Sequence, residues 1–368
     1  MFNAKKLKKY GLLGLRKLKH NFKTWFYMKT GWFLPPPEKV YFLLSNKCNY
    51  QCKMCPQWKQ GISENADEYI PIGRVKGIID EMKKLGIGEL GISGGEPLIY
   101  KEKTLELLGY ANKNGIYTHF ATNGSLLDEE ILAEYNRAGG GHISLSVDGM
   151  GEKHDALRGF SGAYVSVERA LKLFRENNYS NIALKINFVL SGENLDEALL
   201  VAGLAIKNSA LIFFQPYDPY DFGNRDIEKK ETSHALWVKK ENYGKLRVAM
   251  DGLMELKKKN PGVILNDLEH LNSFYDYFTD NKFHKTCYAG MDQIAINPFG
   301  KVIFCKFGEI ADLKNISLAN YLKSEKRKNI VQASLACEES CLLGCMFRPG
   351  AGELFINGAK RVFKLMAK

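Results

Sequence analysis

Val40-Tyr41-Phe42-Leu43-Leu44 is followed, three residues on, by Cys48-Asn49-Tyr50-Gln51-Cys52-Lys53-Met54-Cys55. A short apolar run of this kind reads as a buried strand, so the three cysteines fall in the loop at its C-terminal end. In parallel α/β proteins that end is where ligands bind. Three thiolates spaced in this way can wrap a compact inorganic centre. Structural zinc takes four protein ligands, and no fourth Cys or His follows locally; the next His along the chain is His119. An iron–sulfur cluster normally takes four cysteines, so one held by three keeps an iron free to bind something else.

Outward from this loop the chain alternates. Strands are expected at 40–44, 89–92, 117–121, 143–147, 182–190 and 211–215. Helices are expected between them at 74–85, 103–114, 128–138, 165–177 and 195–208. Such alternation argues for parallel strands with helices outside. Residues 223–282 break the rhythm and read as a helical connection. From residue 283 the character changes again. Five of the eight cysteines lie from Cys287 to Cys345, around the turn Asn297-Pro298-Phe299-Gly300, whose flanks read as a β-hairpin. Four segments are therefore expected: 1–37, 38–222, 223–282 and 283–368.

The 368 residues carry a formal charge of +11 from 52 basic and 41 acidic side chains. Before Glu38 there is no acidic residue, whereas Lys5, Lys6, Lys8, Lys9, Arg16, Lys17, Lys19, Lys23 and Lys29 are basic. Removing these nine leaves 43 basic against 41 acidic, so the body is nearly neutral. Leu7, Leu15, Leu18, Phe22, Trp25 and Phe26 recur at helical spacing in this arm, with Trp32 and Phe33 just beyond. Two occupants suit such a basic amphipathic helix: an anionic membrane surface, or the protein's own body. Nothing downstream resembles a nucleic-acid module. No apolar run approaches the ~20 residues of a bilayer span. Eight cysteines are far from disulfide-scaffold density, which suits a reducing, cytoplasmic setting, with peripheral attachment to the inner face of the membrane if the arm binds lipid.

Further motifs sit at strand ends. Ser93-Gly94-Gly95-Glu96-Pro97 follows the second strand; its glycines allow close backbone approach to a ligand, and its carboxylate can pair with a cation. Ala121-Thr122-Asn123-Gly124 follows the third strand. Ser146-Val147-Asp148-Gly149 follows the fourth, with Arg158-Gly159 a little further on. Lys185 and Asn187 share one face of the fifth, and parity alone does not say which.

Cys48, Cys52 and Cys55 together with Gly94-Gly95-Glu96 resemble the signature of the radical S-adenosylmethionine (radical SAM) superfamily, over roughly residues 41–217. The resemblance implies an open, partial (β/α)6 barrel of TIM type. It implies that the three cysteines hold a 4Fe–4S cluster whose open iron chelates S-adenosylmethionine. An electron from the cluster then cleaves the cofactor to methionine and a 5′-deoxyadenosyl radical, which abstracts a substrate hydrogen. By the same resemblance Gly94, Gly95 and Glu96 bind the amino group of S-adenosylmethionine. Asn123 and Ser146 lie around the ribose and methionine, and Ser146 is the ribose candidate. Met54 stands where the family usually has an aromatic against the adenine. Arg158 either meets the methionine carboxylate or ties a loop to Asp148 or Asp155. An external donor of flavodoxin or ferredoxin type would supply the electron.

The last segment resembles the small α+β, cysteine-rich SPASM domain or its shorter twitch form. The full form has seven cysteines for two auxiliary clusters. The five here, Cys287, Cys305, Cys337, Cys341 and Cys345, suffice for one auxiliary 4Fe–4S cluster; four thiolates would also suit zinc. An auxiliary cluster favours net oxidation or crosslinking over isomerisation, on a carbohydrate, lipid-linked or peptide substrate. The segment before Glu38 is too short for the winged-helix peptide-binding domain that peptide-modifying relatives often carry. The alternative is a non-catalytic iron–sulfur scaffold or electron-transfer protein.

Overall fold

The computed structural model describes residues 4–219, 234–279, 286–339 and 341–342, with side chains of the first helix from residue 14 onward. Helix α1 (Ala4–Thr30) precedes a regular alternation: β1 (Lys39–Leu43), α2 (Ile72–Leu85), β2 (Glu89–Ser93), α3 (Lys101–Lys113), β3 (Tyr117–Thr122), α4 (Glu129–Arg137), β4 (Gly141–Ser146), α5 (Gly151–Arg158), α6 (Ala163–Glu176), β5 (Ile182–Leu190), α7 (Glu197–Lys207) and β6 (Leu211–Pro216). Adjacent strands pair in chain order, all parallel, which gives the expected partial barrel. Local chemistry sets the element ends. The Asp128 carboxylate caps α4 by accepting from the Ile131 N–H at 2.8 Å. Gly86 closes α2 in the left-handed region, at φ +75°. Helix α5 was not anticipated, because residues 151–158 are short and carry few apolar side chains.

Each strand is two-faced. Ile182, Leu184, Ile186, Phe188 and Leu190 of β5 join the main hydrophobic core, as do Val40 and Phe42 of β1. Lys185 and Asn187 therefore take the other face, and Asn187 pairs in register with Ser146.

Helices α8 (Tyr243–Lys259) and α9 (Leu268–Thr279) pack beyond β6. There the Phe214 N–H donates to Asn266 Oδ1 at 2.8 Å. The expected hairpin is present as β7 (Gln293–Ile296) and β8 (Lys301–Ile303), with β9 (Glu309–Asp312) beside it. Asn297 Oδ1 accepts from the Phe299 and Lys301 N–H groups and shapes the turn. Strand β7 pairs in parallel with β1, so the hairpin extends the barrel sheet to nine strands. Helices α10 (Leu318–Lys323) and α11 (Glu325–Leu335) follow.

Helix α1 requires a correction. Its docking face is mixed: His20 hydrogen-bonds Asp292 at 2.9 Å, Thr24 is buried beside it, and Tyr27 packs against Met291 and Val331. The apolar stripe, which would have covered the body had it docked, faces outward.

Candidate functional site

Cys48, Cys52 and Cys55 lie at the C-terminal end of β1, in a small apolar cluster with Tyr50, Met54 and Ala163. The loop is pinned from several sides. The Trp58 indole N–H donates to the Cys52 carbonyl at 3.1 Å, and the Lys53 N–H donates to the Leu157 carbonyl at 2.9 Å. Tyr50 stacks on Phe160 at 4.5 Å. Burial pushes the Cys48 thiol up to about 11 and raises Cys55 as well. Neutral, partly buried thiols are poor nucleophiles, and a strongly cationic metal centre is what would ionise them. No three His, Cys, Asp or Glu side chains among the described residues converge as a single metal ion requires. A four-iron cluster instead needs thiolates spread around its larger body.

Gly94 and Gly95 act on this loop itself. The Gly95 N–H donates to the Ser45 carbonyl at 2.6 Å, and the Glu96 N–H donates to the Lys47 carbonyl at 2.9 Å. A Cβ on Gly95 would overlap the Lys47 carbonyl, and one on Gly94 would overlap that of Ser45. The close approach is thus to the backbone before Cys48, where the sequence suggested a ligand. Glu96 is 1% exposed. Its carboxylate accepts from the Leu98 N–H (3.1 Å), the Thr122 hydroxyl (2.9 Å) and the Asn123 N–H (2.8 Å). These donors are neutral, and burial pushes the carboxyl up to about 7. Arg158 acts on it only from a distance, and no cationic side chain among the described residues hydrogen-bonds it, so this buried carboxylate is suited to receive a cationic group.

Asn123 donates from Nδ2 to Asn49 Oδ1 at 2.9 Å, and Asn49 Nδ2 donates to the Ser125 hydroxyl at 2.8 Å. Arg158 pairs with Asp148 and directs Nη1 at Cys52 Sγ, 3.7 Å away. The Asp148 contact is the loop tie weighed for Arg158. Burial works against its charge, but Asp148 together with Cys52 and Cys55 outweighs that, and its pKa is raised.

Sequence reasoning missed Asn49 and a polar cluster deeper on the core-averted face. There His119 Nδ1 lies 3.1 Å from Glu89 Oε1, and the His119 and His142 rings stack at 4.3 Å. The Tyr117 hydroxyl lies 3.1 Å from His142 Nδ1. A signal was available: polar residues recur at every second position in strands expected to be covered on both faces. The Asn187 side-chain oxygen, on the same face, is buried with no partner among the described residues.

Of the second cysteine group, Cys287 precedes β7, and Cys305 opens a short 3-10 turn just past β8 at φ +38°, a conformation rare outside glycine. Cys337 follows α11, and Cys341 is buried. Cys345 lies outside the described residues.

The Radical SAM superfamily profile matches residues 42–205. The chain is 27% identical over 289 residues to a PqqA peptide cyclase of Granulibacter bethesdensis, covering 75% of this chain and 69% of that protein. It is 31% identical over 183 residues to an AdoMet-dependent heme synthase of Methanosarcina barkeri, covering 48% of this chain and 49% of that protein. The chain thus spans about half the length of the second relative. The solved structure of anSMEcpe with bound AdoMet and the Cp18Cys peptide superposes with a TM-score of 0.60 at 18% identity, covering 90% of this chain and 99% of that one. Residues 42–205 are therefore a radical SAM domain, and the likeness to the cyclase and to the peptide-bound structure extends beyond it into the C-terminal part. Such a domain implies S-adenosylmethionine and 4Fe–4S clusters as cofactors, and the three-thiol loop and the cation-seeking Glu96 suit that pair.

Proposed function

We propose that the protein is a radical SAM oxidoreductase that carries out a net oxidation or crosslinking of a peptide. The observation that carries the reading is the juxtaposition of the three-cysteine loop with buried Glu96, held only by neutral hydrogen-bond donors, at one end of the sheet. Bound there, the cluster and S-adenosylmethionine would supply the electron and the 5′-deoxyadenosyl radical that takes a substrate hydrogen atom. Cys48, Cys52 and Cys55 would hold the cluster, and Glu96 the cofactor's amino group. Gly94 and Gly95 keep the two loops in contact. Met54 offers an apolar surface to the adenine, Ser146 a hydroxyl to the ribose, and Asn123 locks Asn49 of the cysteine loop in place. Arg158 holds Cys52 against Asp148.

Cys287 and Cys305, with two of Cys337, Cys341 and Cys345, would hold one auxiliary cluster. Bound there, it would supply an acceptor for the second electron of a two-electron oxidation, the accompanying proton leaving to solvent. An external flavodoxin- or ferredoxin-type donor supplies the electron for cofactor cleavage. The peptide class rests on the likeness to the PqqA peptide cyclase and to the peptide-bound anSMEcpe structure. The open end of the barrel and the positive N-terminal helix suit an enzyme peripheral to the inner face of a membrane.

Reconstituted protein should hold about eight iron atoms, as two four-iron clusters, and the Cys48/Cys52/Cys55→Ala variant about four. With dithionite and S-adenosylmethionine the wild type should form 5′-deoxyadenosine. A folded, iron-loaded protein that cleaves no cofactor would instead be an iron–sulfur scaffold.

A further inference from the structure

Helix α1 turns opposite sides to the protein and to its surroundings. At 3.6 residues per turn, His20, Thr24 and Tyr27 fall on one side and are buried. Leu15, Leu18, Phe22, Trp25 and Phe26 fall on the other and are 37–66% exposed. Just past the helix, Trp32 and Phe33 are 76% and 68% exposed. Phe33 stands outward from a left-handed backbone at φ +55°, which a bulky residue rarely adopts.

We propose that this face lies on an anionic lipid bilayer. A contiguous apolar surface of large side chains marks an interaction site. The charge around it selects the occupant. Lys19, Lys23 and Lys29 border the stripe, and the whole segment before Glu38 holds nine basic residues and no acidic one. Protein–protein interfaces are depleted in lysine, whereas a bilayer surface takes up aromatic rings at headgroup depth and lysines at anionic headgroups. A second copy of this face would set Lys19, Lys23 and Lys29 against their own like charges. No helix among the described residues is long and apolar enough to cross a membrane, so the attachment is in the interface plane.

The docking of α1 also gives the attachment a side. Arg16 donates to the Gly115 carbonyl at 3.3 Å, and its guanidinium lies beside Gly88. His20 meets Asp292. Gly88, Gly115 and Asp292 lead into β2, β3 and β7, so α1 crosses the N-terminal ends of the strands. The cysteine loop is at the other end, about 17 Å away for a five-residue strand. The bilayer therefore lies under the barrel floor while the cysteine end faces water. A substrate approaching from solution fits this arrangement, and a bilayer-embedded lipid does not. Adsorption rests on α1 alone; its bearing on substrate also takes the cysteine loop as the working end.

Co-sedimentation of the full chain with phosphatidylcholine vesicles, with and without phosphatidylglycerol, tests the adsorption. Binding is expected only with phosphatidylglycerol and should weaken as salt rises. The Phe22→Ser/Trp25→Ser/Phe26→Ser variant, changed only at exposed positions, should lose at least about tenfold in partitioning. Equal binding by that variant, or none by the wild type at low salt, overturns the proposal. Lipid-free dimers that the variant abolishes would also overturn it, since the occupant would then be a second copy. Brominated phosphatidylglycerol tests the sidedness. Tryptophan quenching should survive Trp58→Phe, at the cysteine end, and vanish in Trp25→Phe/Trp32→Phe. Quenching that survives loss of Trp25 and Trp32 puts the wrong end on the lipid. Both assays need neither cluster nor cofactor, so their failure is separate from any failure of the enzymatic reading.

Discussion

The Arg158 guanidinium joins the end of α5 to Asp148 beyond β4, and its other amino group points at Cys52 Sγ. Both partners of this ion pair are buried, Asp148 fully and Arg158 at 8% exposure. The pair thus clamps the middle cysteine of the loop to the neighbouring strand end. Its worth lies less in net stability than in the cost of breaking it, because a lone buried charge has no water to replace its partner.

Asp148→Asn should therefore destabilise the protein by about 3–5 kcal/mol, as an uncompensated buried cation does. The Asp148→Asn/Arg158→Met double variant should recover part of that loss, because the stranded charge is gone. Urea unfolding of the four proteins in the cycle measures both effects.

Gly95→Ala should be costly despite its small size. The added methyl meets backbone, the Lys47 carbonyl, and backbone cannot rotate out of the way. A loss on the order of 2–3 kcal/mol is expected from such overpacking, with reduced iron uptake as the cysteine loop is pushed off. Gly95 lies outside the left-handed region, so its loss is steric, whereas Gly86→Ala, with open space around it at φ +75°, adds only backbone strain. Thermal unfolding and iron content after reconstitution check the prediction.

Glu96 makes stability depend on pH in a stated direction. Its folded carboxyl holds a proton up to about 7, against an ordinary value of 4.5. Between these the folded chain binds more protons than the unfolded chain, so stability falls as pH rises through this window. The loss is roughly 3 kcal/mol by the usual conversion. Glu96→Gln should flatten the slope between pH 4.5 and 7 in urea unfolding of the cofactor-free protein, leaving only the contribution of other groups.

Cys287→Ala should lose the auxiliary iron, about four atoms per chain, yet still form 5′-deoxyadenosine from S-adenosylmethionine without substrate. Iron analysis together with product chromatography reads the two effects in one preparation.

Much of this protein was legible one residue at a time. The 182–190 strand coincides with β5, because nine residues of strict alternation leave no competing period. The Cys48, Cys52 and Cys55 loop sits where its position after an apolar run put it. The hairpin around Asn297-Pro298-Phe299-Gly300 follows from turn chemistry that acts over four residues. Helix α5 escaped notice for the converse reason: its eight residues are too few and too polar to show a period.

The remaining features depend on groups far apart in the chain. Ser45 and Lys47 decide why residues 94 and 95 must be glycine, and no local pattern names them. Which of Asp148 and Asp155 pairs with Arg158 was decided by the fold. The sequence by itself determined which residues of α1 share a face, since helical periodicity is local. Only the tertiary structure decided which face docks. A polar hydrogen bond from His20 to Asp292, 272 residues later, together with the buried Thr24 and Tyr27, holds the helix down and leaves its apolar stripe outside.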